Sequence, residues 1–424
     1  MNDNIFISLV DGRSYRDLIR NNLFKKLNNE SLLPILLSEI LNVDHLVNKI
    51  EDKDNVLLRY FRPQPHSIKK KYSAKIRRYL ALNSPPLINS YLKFERKYLY
   101  NADNSLLDIF NEFEPSAVLS THANLSLEMS IVLEAKRRKI PSVSMVRSWD
   151  NVYKGLGVRA DYLTVWNEIN KKEAIRLEGY DEENVFVTGA PQFDKYFQEN
   201  TSISKNDFCK NIGFDPKKPI ILLATRGAIQ ENYDETYLVD LLVKYIKKGK
   251  IDVDTQLILR LHPWSKLENF LKYSKYDNIH LSYYDDYIPT LGWSMTDEAV
   301  LEIKNMFKYS DILITPGSTM TLEAAIFNLP TLVPFFSTYQ PTYVKNIFKT
   351  YTSEKHFKRI IDLKLVRVQW DEESFFRDLK NAYINTTWNE ESRKSLLNDY
   401  IPFRDGRSVD RIVRVIKKVS SQRI

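Results

Sequence analysis

The segment Thr315-Pro316-Gly317-Ser318-Thr319 has the residue types of an anion site. An apolar run at 311–315 meets a Pro-Gly turn, and Ser318 and Thr319 then open an apolar helical pattern at 320–328. Gly317 permits an unusual φ and close approach of a ligand to the backbone. The first N–H groups and the dipole of such a helix favour a phosphate or diphosphate. Ser318 also suits a plain N-cap. Glu323, over one turn further on, can accept hydrogen bonds from ribose hydroxyls, or can simply be solvated. A second set is Arg260 and His262, at the end of an apolar run at 257–261 and before Pro263, which stops regular structure. A strand-end histidine can donate a hydrogen bond to a leaving phosphate and balance its charge, and Arg260 can pair with phosphate through two parallel bonds.

Weaker sets follow other apolar runs. Thr225-Arg226-Gly227-Ala228 comes directly after 220–224, so Arg226 is a candidate phosphate contact. In the first half, Ser120-Thr121-His122 follows a buried run, and His122 is a candidate general base or acceptor contact. Arg147-Ser148-Trp149-Asp150-Asn151 offers a cation, a stacking face at Trp149 and a carboxylate at Asp150 for hydroxyl contacts or base chemistry; a structured loop around a packed tryptophan reads equally well. Asp11-Gly12-Arg13 follows the first run, with Arg16 and Arg20 at i,i+4 spacing beyond it, and these are candidate acceptor-phosphate contacts or a solvated face. Gly189-Ala190-Pro191-Gln192-Phe193-Asp194 reads as a turn that shapes a hinge.

These residues need strands to present them. The chain alternates short β-branched runs with amphipathic stretches, the signature of βαβ units and a parallel sheet, and the expected class is α/β. Strands are expected at 5–9, 32–37, 117–120, 143–146, 163–166 and 185–188, with helices near 15–27, 126–137 and 171–178. Residues 43–110 read as mostly helical and basic, with poor strand signals. The polar stretch 198–218 reads as the interdomain connection. Strands then recur at 220–224, 256–260, 279–282, 311–315 and 331–334, with helices at 237–248, 299–307, 320–328 and 408–419. In open α/β sheets ligands sit beyond the carboxyl ends of the strands, which is where the sets above fall.

With 424 residues the chain has room for two such domains of roughly 200 residues each. Only 11 glycines leave little scope for Gly-rich loops, and one cysteine, Cys209, excludes an internal disulfide and fits a reducing compartment. No secretory leader or run long enough for a membrane span is read. The net charge of +8 includes the cluster Lys69-Lys70-Lys71-Tyr72 with Lys75, Arg77 and Arg78, a solvated face or a surface for anionic lipid or a phosphorylated acceptor. Nucleic acid is not expected as a partner, since no such motif accompanies the charge. The absence of GxxxxGK[ST], HExxH, paired cysteines and GxSxG argues against P-loop hydrolysis, zinc sites and an α/β-hydrolase elbow.

Taken together these residues resemble a family. His262-Pro263 followed by Ser318-Thr319 is similar to the donor-nucleotide motifs of bacterial surface-polysaccharide glycosyltransferases and of CDP-glycerol glycerophosphotransferases and polysialyl- and Kdo-transferases. Gly189 to Asp194 resembles their "G-x-P-x-x-D" junction, and Asp405-Gly406-Arg407-Ser408 with Arg411 resembles their carboxyl-terminal stretch. Ser148 to Asn151 with Lys154-Gly155 resembles a segment of surface-carbohydrate proteins. The resemblance implies a GT-B fold, two Rossmann-like doubly wound domains facing a central cleft. The acceptor domain is expected at 1–197 with a helical basic insertion at 43–110, the donor domain at 219–404 and a terminal helix at 405–424. The implied activity moves a sugar from a nucleotide sugar (CMP-, CDP-, UDP- or dTDP-linked, with cytidine leading) to a glycan or lipid-linked acceptor of capsule, O-antigen or lipopolysaccharide. No cofactor or metal is expected. Thr331 stands where many retaining enzymes carry a second glutamate, which favours inversion. The alternatives are glycerophosphate transfer, a UDP-sugar 2-epimerase and a non-catalytic carbohydrate- or membrane-binding scaffold. The expected place is the cytoplasm, or the inner face of the membrane as a peripheral protein.

Overall fold

A computed structural model describes residues 3–38, 55–61, 72, 75–77, 79–80, 83–98, 104–123, 126–198, 203–227, 234–284, 287–288, 292–293, 295–353 and 355–422. Lys69, Lys70, Lys71, Arg78 and Ala228 lie outside the described residues. The chain divides into two units, Met1–Gln198 with Tyr287–Met295 and Tyr400–Ile424, and Glu199–Asp286 with Thr296–Asp399.

The first unit is built on β1 (Asp3–Ser8), β2 (Leu32–Ser38), β3 (Leu57–Tyr60), β4 (Ala117–Ser120), β5 (Ser142–Met145), β6 (Tyr162–Val165) and β7 (Val185–Val187). They form one parallel sheet in the order β3-β2-β1-β4-β5-β6-β7. The direction of winding therefore reverses between β1 and β4, the switch point of a doubly wound sheet. Alternate residues of β1 feed two cores: Ile5 and Ile7 enter one, Phe6 the other. The helix Ser408–Ser420 closes the first core with Val409, Ile412, Val413, Ile416 and Val419. The last helix of the sequence thus completes the sheet formed by the first strand.

The second unit carries β8 (Ile220–Ala224), β9 (Gln256–Arg260) and β10 (Ile279–Ser282). A two-strand hairpin follows, β11 (Tyr287–Ile288) with β12 (Gly292–Trp293), which groups with the first unit. The sheet is completed by β13 (Ile312–Ile314), β14 (Thr331–Pro334) and β15 (Val368–Gln369), in the parallel order β10-β9-β8-β13-β14-β15. The same reversal falls between β8 and β13. Two Rossmann-like doubly wound sheets are present, the fold that the resemblance implied.

Several local expectations change. The helix expected at 15–27 is two helices, Gly12–Leu18 and Leu23–Asn29, parted by a short 3-10 turn and by Asn22 in the left-handed region at φ 62°. Glu168–Glu178 starts three residues early because Asn167 accepts from the Asn170 N–H as its cap. The stretch 43–110, read as helical, contributes the edge strand β3, whose Arg59 and half-exposed alternation hid it. The expected connection holds the helix Lys205–Asn211, capped by Ser204 and anchored by buried Phe208 and Cys209.

The basic cluster is also corrected at one residue. Arg77 is fully buried, not solvated: its Nε donates to Glu178 Oε2 at 2.8 Å, Nη1 to the Gly157 carbonyl at 2.9 Å and Nη2 to the Leu156 carbonyl at 2.5 Å. Lys75, Ile76, Tyr72 and Tyr79 stay exposed.

Candidate active site

In the second unit the ends of β8, β9 and β13 carry Arg226, His262 and the Gly317–Ser318–Thr319 turn. His262 is half-buried and held on three sides. Its backbone N–H donates to Thr225 Oγ1 at 2.7 Å, and its Nδ1 accepts the Trp264 N–H at 3.1 Å. An acceptor at Nδ1 places the proton of the neutral ring on Nε2, which makes Nε2 the ring's donor nitrogen. The third side is Gly227, at φ +81°, where a Cβ would stand 2.5 Å from His262 Nδ1. Only glycine lets the turn after β8 come this close. That turn is held in its own right, because the Arg226 and Gly227 N–H groups donate to the buried Glu235 carboxyl at 2.7 and 3.1 Å. Burial pushes Glu235 up to about 7.

The turn after β13 is tight: the Gly317 N–H donates back to the Thr315 carbonyl at 2.7 Å. Gly317 sits at φ +67°, and a Cβ there would crowd Phe357 and Phe335. Ser318 Oγ lies 3.1 Å from Thr315 Oγ1 and accepts the Met320 N–H at 3.2 Å, while the N-cap position of Met320–Ile326 is held by Thr319, whose side chain makes no capping bond. Glu323 is half-buried within that helix.

Arg260 is engaged within its own sheet. It is buried, its Nη1 donates to Ser282 Oγ at 2.9 Å, and its guanidinium lies 3.6 Å over the Tyr284 ring. A fork engaged this way braces β9 against β10.

In the first unit, Asp11 and Arg147 also turn inward. Asp11 caps Gly12–Leu18 by accepting the Ser14 N–H at 2.8 Å and forms an ion pair with Arg147, joining the ends of β1 and β5. Burial lowers Arg147 to about 10, and the charge of Asp150 opposes the fall. Arg13 lies 3.7 Å from Asp11 and remains exposed. Arg16 and Arg20 both reach Met295, Arg20 Nη1 donating to its carbonyl at 2.5 Å. Trp149 offers no open stacking face: it is buried edge-on against Tyr400, with ring centroids 5.5 Å apart. Asp150 is buried beside it.

His122, at the end of β4 across the switch point from Asp11 and Arg13, is 4% exposed. Its N–H donates to Glu128 Oε2 at 2.8 Å, and the same carboxyl accepts Ser120 Oγ at 2.6 Å and Thr121 Oγ1 at 2.8 Å. Burial, helped by the charge of Arg13, lowers the imidazole to about 4. The folded ring is therefore neutral near pH 7 and able to accept a proton. A stability consequence follows. Between the unfolded value of 6.5 and about 4 the unfolded chain binds more protons, so stability falls as pH drops through that window. The size is at most about 3 kcal/mol. In urea unfolding series between about pH 7 and about pH 4, His122→Gln, which cannot titrate, should show a shallower acid decline than the native chain; parallel declines refute the assignment.

Comparison with known proteins places the chain. Residues 42–418 match the model of the CDP-glycerol:poly(glycerophosphate) glycerophosphotransferase family. The chain belongs to that family. No curated protein matches it significantly. Among solved structures it is similar to the Staphylococcus aureus MnaA–UDP co-structure (17% identity, TM-score 0.57, 98% of this chain and 96% of that one). It is also similar to the wall teichoic acid polymerase TagF (13%, 0.55, 99% and 89%) and to a glycosyltransferase from Rickettsia africae (13%, 0.55, 99% and 98%). At these identities the likeness is one of fold.

In this glycerophosphotransferase-family chain the two junction motifs meet. Asp194 Oδ1 and Oδ2 accept the Ser408 and Val409 N–H groups, each at 3.2 Å, so the carboxylate caps Ser408–Ser420 from 214 and 215 residues away. Arg411 pairs with Asp405 and stacks on Phe403 at 3.8 Å. Asp194→Ala leaves two buried N–H groups without their acceptor, a cost of about 2 kcal/mol or more. The buried aliphatic side chains of the helix, each contributing roughly 1.5 to 3 kcal/mol, outweigh that loss and keep it docked. Hydrogen exchange should speed up in the first turn of this helix alone; uniform acceleration along it overturns the capping role. Sequence reading missed Glu128, Glu235 and the capping role of Asp194. A glutamate within ten residues after a strand-end turn was the available signal for the first two.

Proposed function

We propose that the chain transfers an activated group from a cytidine-nucleotide donor to a hydroxyl of a cell-surface polymer, with glycerol phosphate or a related polyol phosphate as the group. The observation that carries this reading is the family match across 42–418. Supporting it, His262 and the Ser318–Thr319 turn follow strands of the second unit, and neutral His122 follows a strand of the first.

In the proposed reaction the acceptor oxygen attacks the phosphorus that bears the polyol. The new O–P bond forms as the pyrophosphate bridge breaks, CMP leaves, and the acceptor proton passes to His122, with Asp150 as the alternative base. The His262 Nε2–H and the Ser318 and Thr319 turn stabilise the leaving phosphate, Arg226 adds positive charge, and Glu323 meets the ribose. Arg13 is the exposed cation for an anionic acceptor. No described helix is long and apolar enough to cross a membrane. Exposed Tyr72, Ile76 and Tyr79 beside Lys75 support peripheral attachment to the inner face of an anionic membrane, where a lipid-linked acceptor would be reached.

A panel of CDP-polyols and of CMP-, CDP-, UDP- and dTDP-sugars, assayed with a polymer acceptor, tests this. Release of CMP from a CDP-polyol supports phosphoryl transfer. Release of a nucleoside diphosphate from a CDP-, UDP- or dTDP-sugar, or of CMP from a CMP-sugar, supports glycosyl transfer instead. Conversion of a UDP-sugar with no acceptor present supports an epimerase. No binding of any nucleotide supports a scaffold.

A further inference from the structure

We propose that Glu128 and Glu235 are positioning residues, each fixing the strand-end turn that sets one of the two histidines, His122 and His262, in place. The inference rests on the roles proposed above for those histidines.

Where a strand leaves its ladder, backbone N–H groups lose their partners and need another acceptor. At both switch points a buried glutamate near the start of the following helix supplies it. Glu128, the third residue of Ser126–Arg137, is 1% exposed and takes three consecutive residues, Ser120, Thr121 and His122, on one carboxyl group. Glu235, immediately before Thr236–Lys247, is 4% exposed and takes the Arg226 and Gly227 N–H groups on separate oxygens. The connection to His262 is steric and polar together. Gly227 forms the wall against the imidazole, and Thr225, one residue before the held pair, accepts the His262 N–H. Moving the turn by a few tenths of an ångström moves both contacts.

A buried carboxyl is a costly way to satisfy a turn, since desolvating it costs several kcal/mol that neutral serine or asparagine would avoid. Its advantage is two oxygens on a stiff fork, which fix two or three donors relative to one another. That geometry recurs in both units although their sequences differ at these sites. Correct placement within about half an ångström is what a proton-transfer or leaving-group contact requires.

Double-mutant cycles test the inference, because a glutamate that acts through its histidine has nothing left to lose once the histidine is gone. Glu235→Gln should lower kcat/KM for donor turnover about tenfold or more in the native chain and less than about threefold in a His262→Ala background. Glu128→Gln should behave the same way with His122→Ala. In nitrogen-15 spectra of the six histidines, assigned by single substitutions, Glu235→Gln should shift the His262 ring signals and Glu128→Gln those of His122. Equal losses in both backgrounds with unshifted ring signals overturn the inference. Where a Gln variant does not fold by circular dichroism, Glu→Asp, which keeps the charge but draws it back by one methylene, is read by the same criteria. If His262→Ala alone leaves turnover unchanged, the proposed donor site fails, and the ring signals still decide whether the glutamates position the histidines.

Discussion

Arg77→Ala lowers the unfolding free energy of the first unit by about 3 to 5 kcal/mol. The reason is what the arginine leaves behind. Glu178 is 1% exposed in its side chain, with Oε2 on Arg77 and Oε1 accepting the Leu156 N–H at 3.1 Å. Without the guanidinium the carboxylate keeps one neutral donor in a medium that penalises its charge, and the Leu156 and Gly157 carbonyls lose their donors as well. That loss far exceeds the ~0 to 1 kcal/mol expected of an exposed pair such as Lys394 with Glu391. The same side chain ties the segment around residue 77 to the connection between β5 and β6 and to the end of Glu168–Glu178. The change should therefore also loosen the loop that follows Trp149 and Asp150. Urea unfolding read by linear extrapolation measures it. The double variant Arg77→Met with Glu178→Leu should cost less than the sum of the two single changes, since it removes both charges together. A single-variant loss below about 1 kcal/mol would show that the arginine is solvated.

His262→Ala should cut kcat about 10²- to 10³-fold, equivalent to roughly 2.7 to 4 kcal/mol of transition-state stabilisation, while the fold persists. The two magnitudes separate because the ring is half-buried and its bond with its own turn, from the Trp264 N–H to Nδ1, is an ordinary neutral one. Losing that bond costs about 1 kcal/mol of stability. On the role proposed for His262, losing the Nε2–H also removes a donor at the moment when charge grows on the leaving phosphate. An equal fall in kcat and kcat/KM marks an interaction made only in the transition state, whereas a rise in KM alone marks ground-state binding. Turnover within about threefold of the native chain, measured as nucleotide release at saturating donor, sinks the role.

Much of the architecture was legible because buried parallel strands are continuous apolar runs, and the runs at 117–120, 220–224, 256–260, 279–282 and 331–334 coincide with observed strands. The rule that ligands sit beyond strand carboxyl ends then led to the neighbourhoods of His122, His262 and Ser318. What escaped reading was the use of individual side chains. Arg260 and His262 stand two residues apart at the end of the same strand, yet the first donates to Ser282 and lies over Tyr284 while the second accepts the Trp264 N–H at Nδ1. Trp149 and Arg147 look like a sugar-binding edge in one dimension and are packed against Tyr400 and Asp11 in three. β3 was missed because an edge strand need not be apolar on both faces.

The division has a physical cause. Burial of a strand, capping of a helix and the turn chemistry of Pro316-Gly317 are decided within a few residues, so composition and periodicity report them directly. Partners such as Arg77 with Glu178, 101 residues apart, or Asp194 with Ser408, 214 apart, become neighbours only when the sheet order is set. Which histidine is neutral and buried, which arginine is engaged and which glutamate holds a turn are therefore outcomes of packing. The chain's order of residues settled the two doubly wound sheets and the strand ends where the candidate residues fall. The tertiary structure alone assigned each charged group to bracing, capping or exposure.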